Sequence, residues 1–220
     1  MDTENDRSLR TALEQYHLWY YDTGVWQGTT FLGIPCLKSV SDMWNYQEII
    51  FELKPSLIVE FGANRGGSTL FFSEILKLTR SNSRVLTVEI EPHQIDERVR
   101  FNDHIEVLDC STTDPLVGKR IQELRDANPG PAFAILDSDH QKEHVLNEMR
   151  SLRTVLRKGD YLVVEDSNVN GHPVLPHWGD GPMEAILAYE AEFPHDYIHD
   201  RERESKFGFT FAPNGFLIRR

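Results

Sequence analysis

From residue 57 onward, short apolar runs alternate with longer stretches whose apolar residues recur at helical spacing. The runs Leu57–Phe61, Val85–Glu89, Ile105–Leu108, Phe133–Asp137 and Tyr161–Glu165 predict buried strands. The intervening stretches Ser68–Thr79, Ile95–Arg100, Leu116–Ala127, Lys142–Leu156 and Pro182–Phe193 predict helices. Strands that alternate with helices imply an α/β fold with a doubly wound, mostly parallel sheet, because parallel neighbours need long crossovers. Two last extended pieces, Tyr197–Asp200 and Gly215–Arg219, are expected to add an antiparallel C-terminal edge. Upstream, Leu9, Leu13, Tyr16, Tyr20 and Tyr21 give residues 7–21 a helical apolar face. Residues 22–40, rich in Gly and Thr, read as a loop, and Ser41 is a plausible N-cap for a helix ending at Leu53 before Pro55. Residues 1–54 are thus expected to flank a Rossmann-like unit of residues 55–220 within one compact domain.

Two strand ends carry concentrated acid. Asp137-Ser138-Asp139-His140 follows the apolar run of residues 132–136, and Glu165-Asp166-Ser167-Asn168 follows that of residues 161–164. Adjacent strands lie about 4.8 Å apart. If these two are neighbours, Asp137, Glu165 and Asp166 converge, and like charges at that range call for a cation. Three carboxylates plus water or substrate oxygens match octahedral Mg²⁺ or Mn²⁺; zinc prefers Cys or His. The plainer alternative is a set of solvated strand-end acids. His140 stands three residues past Asp137, close enough to act as a general base kept neutral by a nearby cation. Lys142 and His144 are rivals in less apt registers, and His172, His177 and Trp178 lie in the long loop of residues 167–181. Trp19, Trp26 and Trp44 read as packing residues.

A glycine-rich turn, Glu60-Phe61-Gly62-Ala63-Asn64-Arg65-Gly66-Gly67-Ser68-Thr69, joins the first strand to its helix. Asn64 breaks the dinucleotide fingerprint GxGxxG but tolerates left-handed backbone. No GKS or GKT follows, so this is not a P-loop. Glu60 is placed to accept from an ammonium, Glu89 from ribose hydroxyls, and Asp109 with Ser111 from an adenine edge. Acidic strand ends beside such a turn favour a nucleoside bearing a cationic amino acid, and S-adenosylmethionine fits that description.

Composition narrows the partners. The 220 residues hold 23 basic and 35 acidic side chains, a net charge of −12. That excludes a basic nucleic-acid footprint. No apolar stretch is long enough to span a bilayer, and the polar start MDTENDRSLR lacks the apolar segment of a signal peptide. Two cysteines without a CxxC fit a reduced, cytoplasmic setting.

The stretches GIPCLKSVSDMWNYQEIIFELKPSLIVEFGANRGGSTLFF, LTVEIEP, ILDSDHQKEHVLNEM, VVEDSNVNGHP and GPMEAI together resemble the cephalosporin hydroxylase / rhamnosyl O-methyltransferase family. This is a branch of the class I S-adenosylmethionine-dependent methyltransferases. The resemblance implies methyl transfer to a hydroxyl of a small-molecule or oligosaccharide acceptor. It assigns Mg²⁺ to Asp137, Glu165 and Asp166 and the base to His140, since the D-x-x-H spacing is met. It sets the cofactor on Glu60, Gly62, Asn64, Gly66, Ser68, Glu89, Asp109, Ser111 and Asp137, with Asn64 in place of the commoner middle glycine. The chain also looks similar to actinobacterial enzymes that methylate mannosides in polymethylated polysaccharide synthesis. Antibiotic hydroxylation, which the family name includes, and a non-catalytic cofactor-binding partner are the alternatives. The sequence offers no obvious 2-His-1-carboxylate pattern for non-haem iron. The aromatic segment of residues 16–26 needs cover, so a homo-oligomer is expected.

Overall fold

The computed structural model describes residues 4–79 and 82–220, with the side chains of residues 4–6 excepted. Seven strands form one sheet: β3 (Leu57–Phe61), β4 (Arg84–Glu89), β5 (Ile105–Asp109), β6 (Ala132–Leu136), β7 (Tyr161–Val164), β8 (Tyr197–His199) and β9 (Phe216–Arg219). Their spatial order is β5-β4-β3-β6-β7-β9-β8. The first five pair in parallel, while β9 runs antiparallel to both β7 and β8. The antiparallel element is therefore one strand in from the edge, and β8 takes the edge itself. Two short strands, β1 (Thr30–Phe31) and β2 (Ile34–Pro35), form a separate hairpin inside the stretch read as loop.

Period-2 alternation of the strands divides the core into two layers. Val59 and Phe61 pack with Val117, Ile121, Met149 and Ile186. These come from helices α5 (Pro115–Ala127), α6 (Lys142–Arg153) and α7 (Pro182–Glu192). On the other face Ile58, Phe133 and Ile135 pack with Tyr46, Ile49, Phe72 and Leu76. Those belong to α2 (Val40–Leu53) and α3 (Gly67–Thr79). Strands β3 and β6 are buried at all five positions, as two-sided cover requires. Capping follows local chemistry: Asp114 accepts from Leu116 N–H to start α5, and Asp96 accepts from Arg98 N–H to start α4 (Glu97–Arg100). A five-residue helix, α8 (Arg201–Ser205), was not legible in its charged RERES sequence.

The chain's ends meet. Asp42 in the first turn of α2 accepts from Thr210 Oγ1 at 2.7 Å and Phe211 N–H at 2.8 Å. Helix α1 (Glu4–Asp22) lays Tyr16, His17 and Tyr20 against Phe209, and the latter two also against Phe211. Part of the aromatic segment is thereby covered within the chain, while Trp19 stays 54% exposed.

His17 gives the first testable consequence. It is buried, and Asn168 Nδ2 donates to its Nε2 at 3.0 Å, which requires a neutral ring. Burial lowers its pKa to about 4. An unfolded histidine near 6.5 takes up a proton that the folded one refuses. The stabilisation is therefore complete above pH 6.5 and is lost as pH falls toward 4. Between pH 7.5 and 5 this site is expected to remove about 2 kcal/mol. His17→Gln keeps an acceptor for Asn168 and removes the titration. Urea unfolding should show the parent losing that much more than the variant; parallel pH profiles would refute it.

Candidate active site

The C-terminal ends of β3, β4, β6 and β7 open onto one cavity of about 1130 Å³. Its floor is the glycine-rich turn after β3. Gly62 has φ +90°, and Asn64 takes the left-handed conformation at φ +50°. Glu89 braces this turn: its carboxylate accepts from Ala63 N–H at 3.1 Å, Asn64 N–H at 2.9 Å and Glu91 N–H at 3.0 Å. Gly62, Asn64, Ser68, Glu89, Ser111, Asp137 and His140 all line the cavity.

Three residues of the sequence-based cofactor set stand elsewhere. Glu60 lies within β3, so alternation turns it to the face covered by α3, where it is fully buried. It accepts from Ser68 Oγ at 2.5 Å, Thr69 Oγ1 at 2.5 Å and Thr87 Oγ1 at 3.2 Å, and it does not line the cavity. Gly66, at φ +89°, serves the turn, packed against Val99. Asp109 is exposed at the end of β5, outside the lining, which continues through Ser111 and Thr112.

The acidic cluster forms, with one substitution in its membership. Leu136 pairs with Phe61 and Val164, so the residues after β6 and β7 emerge side by side. Donor atoms of Asp137, His140 and Asp166 lie within 4.8 Å of one another. His140 Nε2 is 3.3 Å from Asp166 Oδ2. Asp166 reaches the cavity because its backbone turns left-handed, at φ +52°. Glu165 is not in this group: it continues the alternation of β7 toward α2, with 4% exposure. There its Oε1 accepts from Lys38 Nζ at 2.7 Å and from Tyr46 Oη at 3.0 Å. Lys38 Nζ also donates to Asp137 Oδ2 at 2.5 Å. Burial holds both Glu165 and Asp166 above the usual carboxylate range, and the charge of Asp137 adds to it, against the pull of Lys38 and His140. Half-buried oxygens of like charge with an imidazole beside them fit a hard divalent ion.

Sequence reasoning missed Lys38 and Tyr46, because a lysine in a loop and a tyrosine in a helix carry no periodic mark. The one available signal was charge: three converging carboxylates need a cation, and the chain itself supplies one. It also missed a wall network in which Thr112 Oγ1 and Ser138 Oγ each donate to buried Glu148 at 2.5 Å. His144 joins that network, 3.2 Å from Glu148, which takes it away from the base position. Lys142 pairs with Asp180 at 2.9 Å and His172 with Glu184 at 2.9 Å. His172 lines a second, smaller cavity, while His177 lines neither. Trp26, read as packing, lines the main cavity together with Tyr21, Leu175 and Trp178. Trp44 is 59% exposed.

This strand order, with the glycine turn after β3 and acidic strand ends over a single cavity, defines the class I methyltransferase fold. Solved structures share it. A magnesium- and SAM-bound form of CmcI matches with a TM-score of 0.70 at 20% identity, over 88% of this chain and 77% of that one. An O-methyltransferase from Bacillus cereus in complex with SAH matches with 0.53 at 17% identity, over 96% and 91%. The chain belongs to the rhamnosyl O-methyltransferase/CmcI family, whose model matches residues 23–220. A rhamnosyl O-methyltransferase of Mycobacterium tuberculosis is 57% identical over 213 residues, covering 97% of this chain and 87% of that protein. That of Mycobacterium leprae is 56% identical over 214 residues, covering 97% and 93%.

Proposed function

We propose that this chain transfers the methyl group of S-adenosylmethionine to a hydroxyl of a rhamnosyl or related sugar, with a divalent ion, Mg²⁺ or Mn²⁺, at the acidic cluster. The convergence of Asp137, His140 and Asp166 in the lining of the cavity that also holds the glycine turn carries this reading. The relatives named for rhamnosyl methylation support the sugar class, and favour it over the mannoside suggested by the sequence. Among the described residues, no helix is long and apolar enough to cross a membrane.

Asp137 and Asp166 would hold the ion, which when bound supplies Lewis acidity and a fixed seat for the acceptor. The remaining work belongs to the chain. The turn from Gly62 to Asn64 would give the cofactor close backbone approach, and Glu89, which lines the same cavity, would accept from its ribose hydroxyls. Tyr21, Trp26, Leu175 and Trp178 offer apolar faces to a sugar ring, with both reactants held for in-line attack. The cofactor would supply its sulfonium methyl to the attacking oxygen, with cleavage of the carbon–sulfur bond and S-adenosylhomocysteine as the leaving group. His140 takes the hydroxyl proton, and Asp166 beside Nε2 stabilises the resulting imidazolium.

Methyl-labelled cofactor and a rhamnoside test this reading. EDTA is expected to lower transfer at least about a hundredfold and added Mg²⁺ to restore it; undiminished transfer in EDTA would sink it. Hydroxylation is disfavoured by the donor set, since the cluster holds one histidine with two carboxylates, not two with one.

A further inference from the structure

One wall of the cavity comes from the end of α1 and the turn that follows, where Tyr21 and Trp26 both line the space. The two side chains form a braced corner. Their rings lie 5.5 Å apart, tilted by 31°. Each also meets Phe211 edge-on, at 5.5 Å for Tyr21 and 6.0 Å for Trp26. Phe211 is fixed in turn, because its N–H donates to Asp42 at 2.8 Å. Trp26 Nε1 donates to the Tyr21 carbonyl at 3.2 Å, with Gly24 at φ +66° in the turn between them. The only polar group of the indole is therefore spent on backbone, and what it offers the cavity is ring surface. Trp178, another indole of the lining, is less restrained: its Nε1 reaches the His140 carbonyl only at 3.5 Å, and it is 42% exposed.

The hydroxyl of Tyr21 is the polar group of this corner. Among the described residues it has no hydrogen-bond partner. Burial raises its pKa, and the charges of Asp166 and Asp22 add to that, pushing it up to about 12. It stays protonated at working pH and is available as a donor. The influence of Asp166 puts the hydroxyl within electrostatic reach of the acidic cluster. A sugar presents C–H bonds on its faces and hydroxyls around its edge, so a fixed aromatic plate beside a single donor suits it. We propose that Tyr21 and Trp26 form the acceptor subsite: the indole carries a face of the sugar ring, and the Tyr21 hydroxyl donates to the sugar hydroxyl next to the one that is methylated. With the reacting oxygen at the acidic cluster, the neighbouring oxygen is the one a donor on that side meets. Because the corner is braced before the acceptor arrives, little ordering has to accompany binding. Both residues determine position and specificity, and neither takes a proton.

The subsite rests on the sugar reading above, and the two fail differently. Steady-state transfer by the full chain, at saturating cofactor and Mg²⁺, is measured with a methyl rhamnoside and its monodeoxy analogues. Calorimetric binding of S-adenosylhomocysteine is measured alongside. If the parent methylates no rhamnoside, the sugar reading falls and the subsite with it. Trp26→Ala is expected to raise the acceptor KM at least about tenfold, with S-adenosylhomocysteine affinity within about threefold of the parent. Trp26→Phe is expected to recover most of that loss, and Trp178→Ala to cost less than Trp26→Ala; the reverse order of the two tryptophans overturns the subsite. Tyr21→Phe keeps the ring packing, so it tests the hydroxyl even if Trp26→Ala does not fold. It is expected to lower kcat/KM about three- to tenfold for the rhamnoside and for the analogue that retains the neighbouring hydroxyl. With the analogue that lacks this hydroxyl, variant and parent are expected to agree within about twofold, since the partner is already gone. An equal loss with every acceptor, no loss with the rhamnoside, or a matching loss of S-adenosylhomocysteine affinity overturns the subsite while leaving methyl transfer to the sugar intact.

Discussion

His140→Ala is expected to lower kcat for methyl transfer by about 10²–10⁴-fold, the usual contribution of a positioned base, while Mn²⁺ affinity stays within about threefold of the parent. The second half of that outcome carries the discrimination. His140 stands close enough to Asp137 and Asp166 to belong to the same donor group. A ligand and a base in that position differ in one observable. Loss of a ligand weakens the ion and the turnover together, and excess metal then rescues turnover. Loss of a base leaves the ion bound and turnover low at any metal concentration. Lost affinity in parallel with lost kcat would make His140 a ligand and remove it as proton acceptor.

The second large effect is on folding. Gly62→Ala is expected to destabilise the chain by roughly 3 kcal/mol or more, from two additive causes. Backbone at φ +90° is strained for any residue with a Cβ, at about 1–3 kcal/mol. The added Cβ would also stand 2.7 Å from the Asp137 carbonyl carbon and 2.9 Å from Ser138 Cα, both backbone atoms that cannot swing aside. Overpacking of that kind costs a further 1–3 kcal/mol or so. Gly33→Ala is the control. It shares a positive φ, +83°, but has nothing within 4 Å of its added Cβ. It is expected to lose only about 1 kcal/mol. Urea unfolding of the two variants separates strain from collision, and equal losses would refute the close approach of the turn to the end of β6. Any folded Gly62→Ala should also bind Mn²⁺ more weakly, because the displaced backbone is that of Asp137.

How far the sequence carried these conclusions depends on what each residue's signal was. The parallel strands were legible because two-sided burial leaves uninterrupted apolar runs such as those of β3 and β6. Asp137, Asp166 and His140 were legible because they follow such runs directly. Glu60 and Glu165 lie apart from the Asp137, His140 and Asp166 group for one shared reason. A carboxylate near a strand end was taken to face the crevice, yet alternation sends Glu60 under α3 and Glu165 under α2. Counting parity along the strand from its last buried residue would have found both. Asp109 fails differently: its place at the end of β5 was right, but β5 is the outermost strand, and the cavity lies inward of it. Lys38 had no local signal at all. Its position comes from a hairpin too short for a sequence pattern and from the anchoring of nearby Asp42 to Thr210, 168 residues further on.

That anchor has a kinetic consequence. Asp42 is held by Thr210 and Phe211, and Lys38 precedes it by four residues, so the placing of the ammonium beside Asp137 and Glu165 draws on contacts between distant parts of the chain. Contacts of such sequence separation form late, because loop closure must come before they can stabilise anything. A nascent chain emerging from the ribosome can pair β3 with β4 while α2 still lacks its tether. Until residues 210–211 emerge, the first turn of α2 lacks this tether, and Lys38 is not yet held beside Asp137 and Glu165 from that side.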